Sequence, residues 1–511
     1  MKYLLTAVFI LYVVFLSFFS RGDFPSNNNE KFYFPYLAER PIIEDGFYSL
    51  KIAWNIGNGK GITYNLDQPT TGFQPLYVFL LSILAFANST FGGDKVSFLR
   101  LVLLSSGLFA LLLSYLFYLF VIKLDKKTDR KILFIVVALL VLFNFKLFLN
   151  LFNGLETGLY LVFLVLSIIQ TYDLAVSNKN SKQILLLGLT FGLTVLARND
   201  FVLIVIVVLL TLLKTKRINF KDLIKISTIL ILTVLPWFIY IFSIQGGIIP
   251  TSVSVQTGSS DNALSYKFDQ FVYSILGNYI PFIHAGQTQT IFIYLITVAF
   301  IFYLLKYEKL YLKKFFGISS IKYWMAAILT ISIVYLLFAS QPYFYFRYLS
   351  IHMLIAIPFL ALLITRKFEN RSLIMKNIFV LLVVGIFFVN VGYYFHYPKK
   401  VSGLSLRTSF IKEKKISDEK IGMAQSGISG YFFDNVINLD GKVNFEALKA
   451  IQNNRLYNYI VNEKIKILIE WKEWFQKQSL GLPDENWVLY GNELEYGKSL
   501  VFVKRDYLIK K

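Results

Sequence analysis

The chain has 511 residues, of which 56% are hydrophobic, 17% aromatic and only 16% charged, with a mean hydropathy of +0.57. A soluble domain carries about 25% charged residues, so this composition excludes a soluble fold, a disordered chain and a disulfide-stapled secreted module. It indicates a polytopic protein of the cytoplasmic (inner) membrane. The formal net charge of +21 suggests nucleic-acid binding, but Lys and Arg of membrane proteins collect in cytoplasmic loops. We therefore expect no nucleic-acid partner. The absence of cysteine and the presence of only three histidines argue against a Cys-ligated or His-rich metal site.

The first apolar segment, residues 3–20, is about long enough to cross a bilayer. A signal peptide with Lys2 as its basic region is the alternative. Phe18, however, breaks the small-residue pattern that would precede cleavage at Ser20. We predict a retained anchor with a cytoplasmic N-terminus.

Eleven more apolar runs follow in chain order, and the basic residues between them set the predicted topology. Four connections hold four or five Lys/Arg each and are predicted to be cytoplasmic: 123–131, 214–225, 306–322 and 366–376. The base-poor connections 150–156, 198–200, 245–288 and 341–347 are predicted to lie outside. The runs are 74–91, 97–122, 131–149, 157–174, 183–197, 201–213, 223–244, 289–306, 323–340, 348–365 and 377–394.

One run has to be removed from the spans. If 3–20 leaves the cytoplasm and 123–131 lies inside, only one of 74–91 and 97–122 can cross. The run 74–91 begins with a Gln-Pro pair and ends before a Gly-Gly pair, so we predict that it is an interfacial or re-entrant helix on the outer side. About eleven transmembrane helices remain, with the C-terminus outside.

Two outer regions are large. Residues 21–96 form the first outer loop of a membrane domain that extends over 1–394. Residues 395–511 form a polar tail in which 420–424 and 464–469 alternate like strands and 444–452 is helical in pattern. The tail is predicted to be an extracytoplasmic α/β domain on an otherwise all-α membrane protein.

Polar residues near membrane depth are costly and mark functional sites. In the predicted topology six of them face one outer cavity, whereas a transport path would scatter them over both faces. Glu44 and Asp45 begin an amphipathic helix at the interface, where acids either favour a helix N-terminus or supply a general base. The six are Glu44, Asp45, Glu156, Arg198, Asp200 and Arg347.

Four segments carry a family resemblance. Residues 44–80 contain an acidic pair, an aromatic helix, a Gly-rich turn and TTGFQPL, with Thr71 where the family signature has Asn. NGLETGLY (153–160), LARNDFVL (196–203) and AQSGISGYFFDNVINLDGKVN (424–444) follow in order. The last is similar to a Gly-Tyr-Phe…Leu-Asp-Gly-Leu-Val-Asn pattern. Together they resemble bacterial membrane glycosyltransferases of the GT-C superfamily, which use polyprenyl-phosphate sugars. Related families are the aminoarabinose transferases, the protein O-mannosyltransferases and the oligosaccharyltransferase catalytic subunit.

The resemblance implies roles for the acids. Asp45 matches the catalytic position, where it would deprotonate an acceptor hydroxyl in an inverting displacement, and Glu44 is its partner or the alternative base. Glu156 matches the second acidic motif, with Asp200 near it, although Glu156 also suits a helix N-terminus. Asp45 and Glu156 could together hold Mg²⁺ or Mn²⁺, and no cofactor is certain.

Three cations are candidates for binding the phosphate of the leaving group: Arg198, Arg347 and Lys146. Arg198 has the alternative of a turn paired with Asp200, and Arg347 and Lys146 have that of snorkelling to the headgroups. His284 is expected to be an ordinary loop residue, and Asp440 has no predicted chemical role.

The predicted function is transfer of a sugar from a polyprenyl-phosphate carrier, within the membrane lipids, to an extracytoplasmic glycan, lipid or protein. A transporter or flippase of lipid-linked sugars is the alternative and would show inverted repeats and broken midplane helices. A non-catalytic scaffold would leave the predicted clustering of acids and arginines unexplained.

Overall fold

The structure, a computed structural model, describes residues 2–24, 36–65, 68–176, 180–256, 264–279, 290–339, 341–396, 402–416, 418–490 and 499–508. Helices make up the first four-fifths of the chain, and a small sheet lies near its end. The helices in the region predicted to lie in the membrane are α1 Lys2–Phe19, α2 Glu44–Gly57, α3 Pro75–Thr90, α4 Lys95–Leu124, α5 Arg130–Leu142, α6 Phe145–Leu151, α7 Thr157–Val176, α8 Ser181–Ala197, α9 Phe201–Lys214, α10 Phe220–Gln245, α11 Thr251–Gln256, α12 Leu264–Tyr279, α13 Thr290–Tyr307, α14 Lys309–Phe316, α15 Ser319–Phe338, α16 Tyr345–Tyr348, α17 Met353–Phe368 and α18 Leu373–His396.

The predicted spans are helical over most of their described residues. By length and hydropathy, six segments of the described chain can cross a membrane, namely α4, α7, α10, α15, Pro342–Phe368 and most of α18. The pair α5–α6 gives a seventh if it is one span. Helices α1, α8, α9 and α13 are shorter apolar helices. A membrane protein is therefore confirmed, while the count of eleven spans stays a prediction.

The run 131–149, predicted as a single span, is divided between two helices and stays a prediction as one span. Helices α5 and α6 are bent by 57° at their junction. Asn144 causes the break, because its side chain caps α6 by accepting the Leu147 N–H at 3.1 Å and donates to the Leu140 carbonyl of α5 at 3.1 Å.

Helix α2 begins at Glu44 as predicted, but it does not lie at an interface with one face exposed. Residues from Gly46 to Ala53 are all buried, because α3 packs on one side of α2 and the C-terminal region on the other. Gly46 is required for this packing, since a Cβ there would lie 2.5 Å from the Asn153 carbonyl oxygen. The close approach places the start of α2 against the turn that carries Glu156.

The C-terminal region is the predicted α/β unit. Its sheet has the order β2-β1-β3-β5-β4, in which β1 pairs in parallel with β2 and β3, and β5 pairs antiparallel with β3 and β4. The two faces of the sheet bury separate apolar clusters. Its elements are α19 Gly403–Glu413, β1 Ile421–Met423, α20 Gly427–Phe432, β2 Val436–Asn438, α21 Phe445–Gln452, α22 Leu456–Asn462, β3 Ile467–Trp471, α23 Lys472–Lys477, β4 Trp487–Leu489, β5 Ser499–Lys504 and α24 Arg505–Leu508.

Polar contacts join this C-terminal region, called the outer domain below after its predicted location, to the first loop. The Tyr64 hydroxyl donates to the Ser426 carbonyl at 2.7 Å, and Asn65 Oδ1 accepts the Asn438 N–H at 3.1 Å. Asp434 accepts from Lys60 at 2.8 Å on the same side. The outer domain is thereby joined to the loop that follows α2.

Candidate functional site

A cavity of about 310 Å³ lies where the first loop, the following outer turns and the outer domain meet. Apolar side chains of α15 and the segment after it, among them Val334, Phe338 and Phe344, form one wall. Five of the sequence-predicted residues line it together, and a sixth charged residue was not predicted. The six are Asp45, Glu156, Arg198, Asp200, Arg347 and Lys442.

Asp45 is the carboxylate that α2 presents to the cavity. Its side chain is 26% exposed there, and its Oδ1 lies 3.3 Å from the Lys442 ammonium of the outer domain. Burial raises the pKa of the Asp45 carboxyl, but Lys442 and then Arg347 outweigh burial and hold that pKa below its ordinary value. Asp45 is therefore ionised at neutral pH, in the form that can accept a proton.

Glu44 points away from the cavity. Its carboxylate accepts the backbone N–H groups of Gly427 at 2.5 Å and Ile428 at 3.0 Å, at the start of α20. Its place makes it a contact between the first loop and the outer domain.

Burial of the Glu44 carboxyl has a consequence for stability. Burial, the largest influence, and the nearby Asp45 charge raise the pKa of Glu44 from 4.5 to about 7, although the two backbone N–H groups favour the carboxylate. The folded protein binds this proton more tightly than the unfolded chain, so the free energy of unfolding falls as the pH rises from about 4.5 to 7.

We expect Glu44→Gln to flatten this dependence, because glutamine keeps the acceptor oxygen and does not titrate. Melting temperatures measured between pH 5 and 8 should fall less with pH in the variant than in the unmodified protein. Glu446→Gln, at an exposed carboxylate of α21, is the control and should follow the unmodified protein. Parallel curves for the protein and Glu44→Gln would contradict the assignment.

Arg198 is held among acids in the cavity. Its guanidinium bonds Asp200 at 2.5 Å and lies 3.9 Å from Glu156, with the Tyr335 hydroxyl at 3.3 Å. The arginine side chain is only 4% exposed. Arg198 is thus paired with Asp200. Its Nη1 atom has no hydrogen-bond partner among the described residues.

Arg347 is a neighbour of Arg198. The Tyr348 ring lies 4.6 Å from the Arg198 guanidinium carbon and 5.2 Å from that of Arg347, so the two cations flank one ring. Nε of Arg347 is buried without a hydrogen-bond partner in the part of the chain that the structure describes. Each arginine therefore lines the cavity and has one buried donor atom without a hydrogen-bond partner among the described residues.

Lys146 does not share the cavity, which is a correction to its predicted role. Its ammonium donates to the Ser274 carbonyl at 2.6 Å and lies 5.0 Å from the Phe346 ring, and Lys146 is not among the residues that line the cavity. The Ser274 carbonyl is thus a hydrogen-bond partner of Lys146 outside the cavity. His284 lies outside the described residues.

The acids of the cavity do not fit a divalent metal ion. Among the described residues there is no group of three or more His, Cys, Asp or Glu side chains with metal-binding geometry. Asp45 is instead paired with Lys442 and Glu156 with Arg198. A metal held by Asp45 and Glu156 would have to compete with both of these cations.

Lys442 and Tyr335 are the site residues that the sequence did not reveal. Tyr335 lies inside an apolar run and donates to Asp200, and nothing in its sequence context distinguishes it from an aromatic belt residue. Lys442 carried a signal, since it stands where the family pattern Leu-Asp-Gly-Leu-Val-Asn has its second Leu.

An apolar helical domain and a C-terminal α/β unit meet at this cavity, which is the arrangement expected from the sequence motifs. The fold is similar to that of ArnT, an aminoarabinose transferase from Cupriavidus metallidurans, in the apo state, with a TM-score of 0.59, 10% identity and coverage of 98% of this chain and 97% of that one. It is also similar to the Archaeoglobus fulgidus oligosaccharyltransferase, solved in complex with Zn and sulfate, with a TM-score of 0.51, 13% identity and coverage of 95% of this chain and 71% of that one.

At 10–13% identity these likenesses establish a shared fold and leave the reaction to be argued from the site. No family model matches the sequence. A search of curated proteins likewise finds no match.

Proposed function

We propose that the protein is a membrane glycosyltransferase that moves a sugar from a polyprenyl-phosphate carrier to the hydroxyl group of an extracytoplasmic glycan, lipid or protein. The observation that carries this proposal is that an ionised carboxylate, Asp45, and two arginines, Arg198 and Arg347, line one cavity with an apolar wall. A phosphodiester on a lipid carries one negative charge and an apolar tail, and the cavity offers a partner for each.

Asp45 acts as the general base. Its carboxylate takes the proton of the acceptor hydroxyl while that oxygen attacks the anomeric carbon of the donor sugar. The bond from the anomeric carbon to the phosphate oxygen breaks at the same time, so the configuration inverts. A single carboxylate is enough for this displacement, in contrast to glycosidases, which use two.

The two arginines stabilise the leaving group. Negative charge grows on the lipid phosphate as the glycosidic bond breaks, and fixed guanidinium groups in a partly desolvated cavity lower the energy of that state. Asp200 and Glu156 hold Arg198 in place before the donor arrives. Arg347 lines the same cavity.

The transporter alternative has one observation in its favour, the bent pair α5–α6, because broken helices line the sites of many transporters. No residue of α5 or α6 is among the residues that line the cavity, however. The scaffold alternative predicts acids and arginines that lie remote from one another, whereas five of them share this cavity.

Arg347→Lys is expected to weaken use of the donor more than use of the acceptor. Lysine keeps the charge but loses the planar fork that binds two phosphate oxygens. Kinetics with donor and acceptor varied separately should show a rise of about tenfold or more in the donor KM with a smaller change in the acceptor KM. A defect confined to the acceptor would exclude the phosphate role.

A further inference from the structure

Lys442 of the outer domain is held in a fixed position at the cavity. Its backbone carbonyl accepts the Thr251 hydroxyl at 2.7 Å. Gly72 of the first loop packs directly on the same carbonyl, since a Cβ at Gly72 would lie 1.8 Å from that oxygen. Contacts with Gly72 and Thr251, which lie in two different segments, therefore fix the backbone position of Lys442.

The ammonium of Lys442 is shared by two carboxylates. It lies 3.3 Å from Asp45 Oδ1 and 3.6 Å from Asp440 Oδ2, with the Tyr48 ring 5.6 Å away. The lysine side chain is 16% exposed and that of Asp440 13%, so water screens these charges only in part. The backbone N–H of Lys442 also donates to Asp440 Oδ1 at 2.9 Å, which orients Asp440.

This arrangement places an ammonium group where a metal ion bound to Oδ1 of Asp45 would have to lie. Mg²⁺ binds carboxylate oxygens at about 2.0–2.1 Å and demands near-octahedral ligands. An ammonium group 3.3 Å from Asp45 Oδ1 would then lie directly against the ion. Two like-charged groups cannot share that oxygen without a large electrostatic cost.

We propose that Lys442 is a positioning residue for Asp45: its ammonium group orients the carboxylate and supplies the charge that a divalent cation would otherwise supply, so that transfer needs no metal ion. Lys442 contacts Oδ1 and leaves Oδ2 to accept the proton of the acceptor hydroxyl. Because Lys442 belongs to the outer domain, the base is correctly placed only when that domain is docked. The inference rests on the proposed role of Asp45 as base.

The first test compares Lys442→Met and Lys442→Arg in the full-length protein, with undecaprenyl-phosphate-linked sugars as donors. Lys442→Met should lower kcat by about 10²-fold, the effect expected of a misplaced catalytic group, with a donor KM within about threefold of the original. Lys442→Arg, which keeps the charge, should recover a large part of the rate. Lys449→Met is the control, since Lys449 lies in the same domain and pairs with Glu446 at its surface, and it should be fully active.

Metal dependence is tested on the unmodified protein. EDTA should change the rate by less than about twofold. Electron paramagnetic resonance should detect no Mn²⁺ ion whose binding depends on Asp45, so the unmodified protein and Asp45→Asn should give the same spectrum. Loss of transfer in EDTA with recovery in Mn²⁺, or stoichiometric Mn²⁺ that depends on Asp45, would overturn the inference. Full activity of Lys442→Met, or a loss confined to the donor KM, would overturn the positioning role.

A third measurement separates this inference from the proposed function. If no donor is used by the unmodified protein, the proposed function fails, and the melting temperatures of Asp45→Asn, Lys442→Met and the double variant still test the pair. Destabilisation that is not additive supports the ion pair. Additive effects would show that Lys442 does not act on Asp45.

Discussion

Asp45→Asn is expected to lower the rate of glycosyl transfer by about 10²–10⁴-fold, the range that follows loss of a general base. Asparagine keeps the shape of the side chain but cannot accept the proton of the acceptor hydroxyl. The melting temperature should change little, because Lys442 retains Asp440 as a partner at 3.6 Å. The loss should fall on kcat and on kcat/KM together, since the missing interaction is made in the transition state.

Glu44→Gln is the control for Asp45→Asn, because it changes the adjacent acid, whose carboxylate faces the backbone of α20 and not the cavity. It should retain most of the activity. Full activity of Asp45→Asn with loss in Glu44→Gln would reverse the assignment within the pair. Full activity of both variants would remove the base from the proposed mechanism and leave the family resemblance without its main residue.

Arg198→Met is expected to destabilise the protein by about 3–5 kcal/mol, the usual effect of removing one partner from a buried ion pair. The guanidinium is the cation that contacts both Asp200 and Glu156, and the Glu156 side chain is only 7% exposed. Methionine has a similar length and leaves these carboxylates without their positive partner. Thermal unfolding in detergent, followed by tryptophan fluorescence, measures the effect.

Arg217→Met is the matched control for Arg198→Met. Arg217 is exposed in the connection between α9 and α10, where surface substitutions usually change stability by less than about 0.5 kcal/mol. If Arg198→Met loses as little stability as the control, the acids are solvated without Arg198. The ion pairs of Arg198 would then not stabilise the fold.

Hydropathy and charge predicted the helical membrane domain because apolar runs and basic connections are properties of local sequence. The bend between α5 and α6 could not be predicted in the same way. An asparagine inside an apolar run is compatible with a continuous helix, and only the contacts of Asn144 with Leu140 and Leu147 show that it ends one helix and starts the next.

The candidate site, like the fold, could be predicted from the sequence only in part. Asp45, Glu156, Arg198, Asp200 and Arg347 stand out from apolar surroundings in the sequence, and chain topology alone suggests that they meet. Lys146 also stands out as a charged residue in apolar surroundings, yet its ammonium group donates to the Ser274 carbonyl. That tertiary contact cannot be predicted from the sequence around Lys146. Lys442 lies in a polar tail with many other lysines. The composition of that tail does not indicate which lysine is buried at the cavity.

The central claim is most directly tested by a transfer assay on purified protein in lipid vesicles, with a panel of polyprenyl-phosphate sugars as donors and Asp45→Asn as the blank. Mass spectrometry of the products identifies the sugar, the acceptor and the released polyprenyl phosphate. The proposed function predicts a glycosylated acceptor and one released carrier phosphate per transfer, both absent with Asp45→Asn. Lipid-linked sugar that crosses the bilayer intact, with no glycosidic bond made or broken, would contradict the account and establish a flippase.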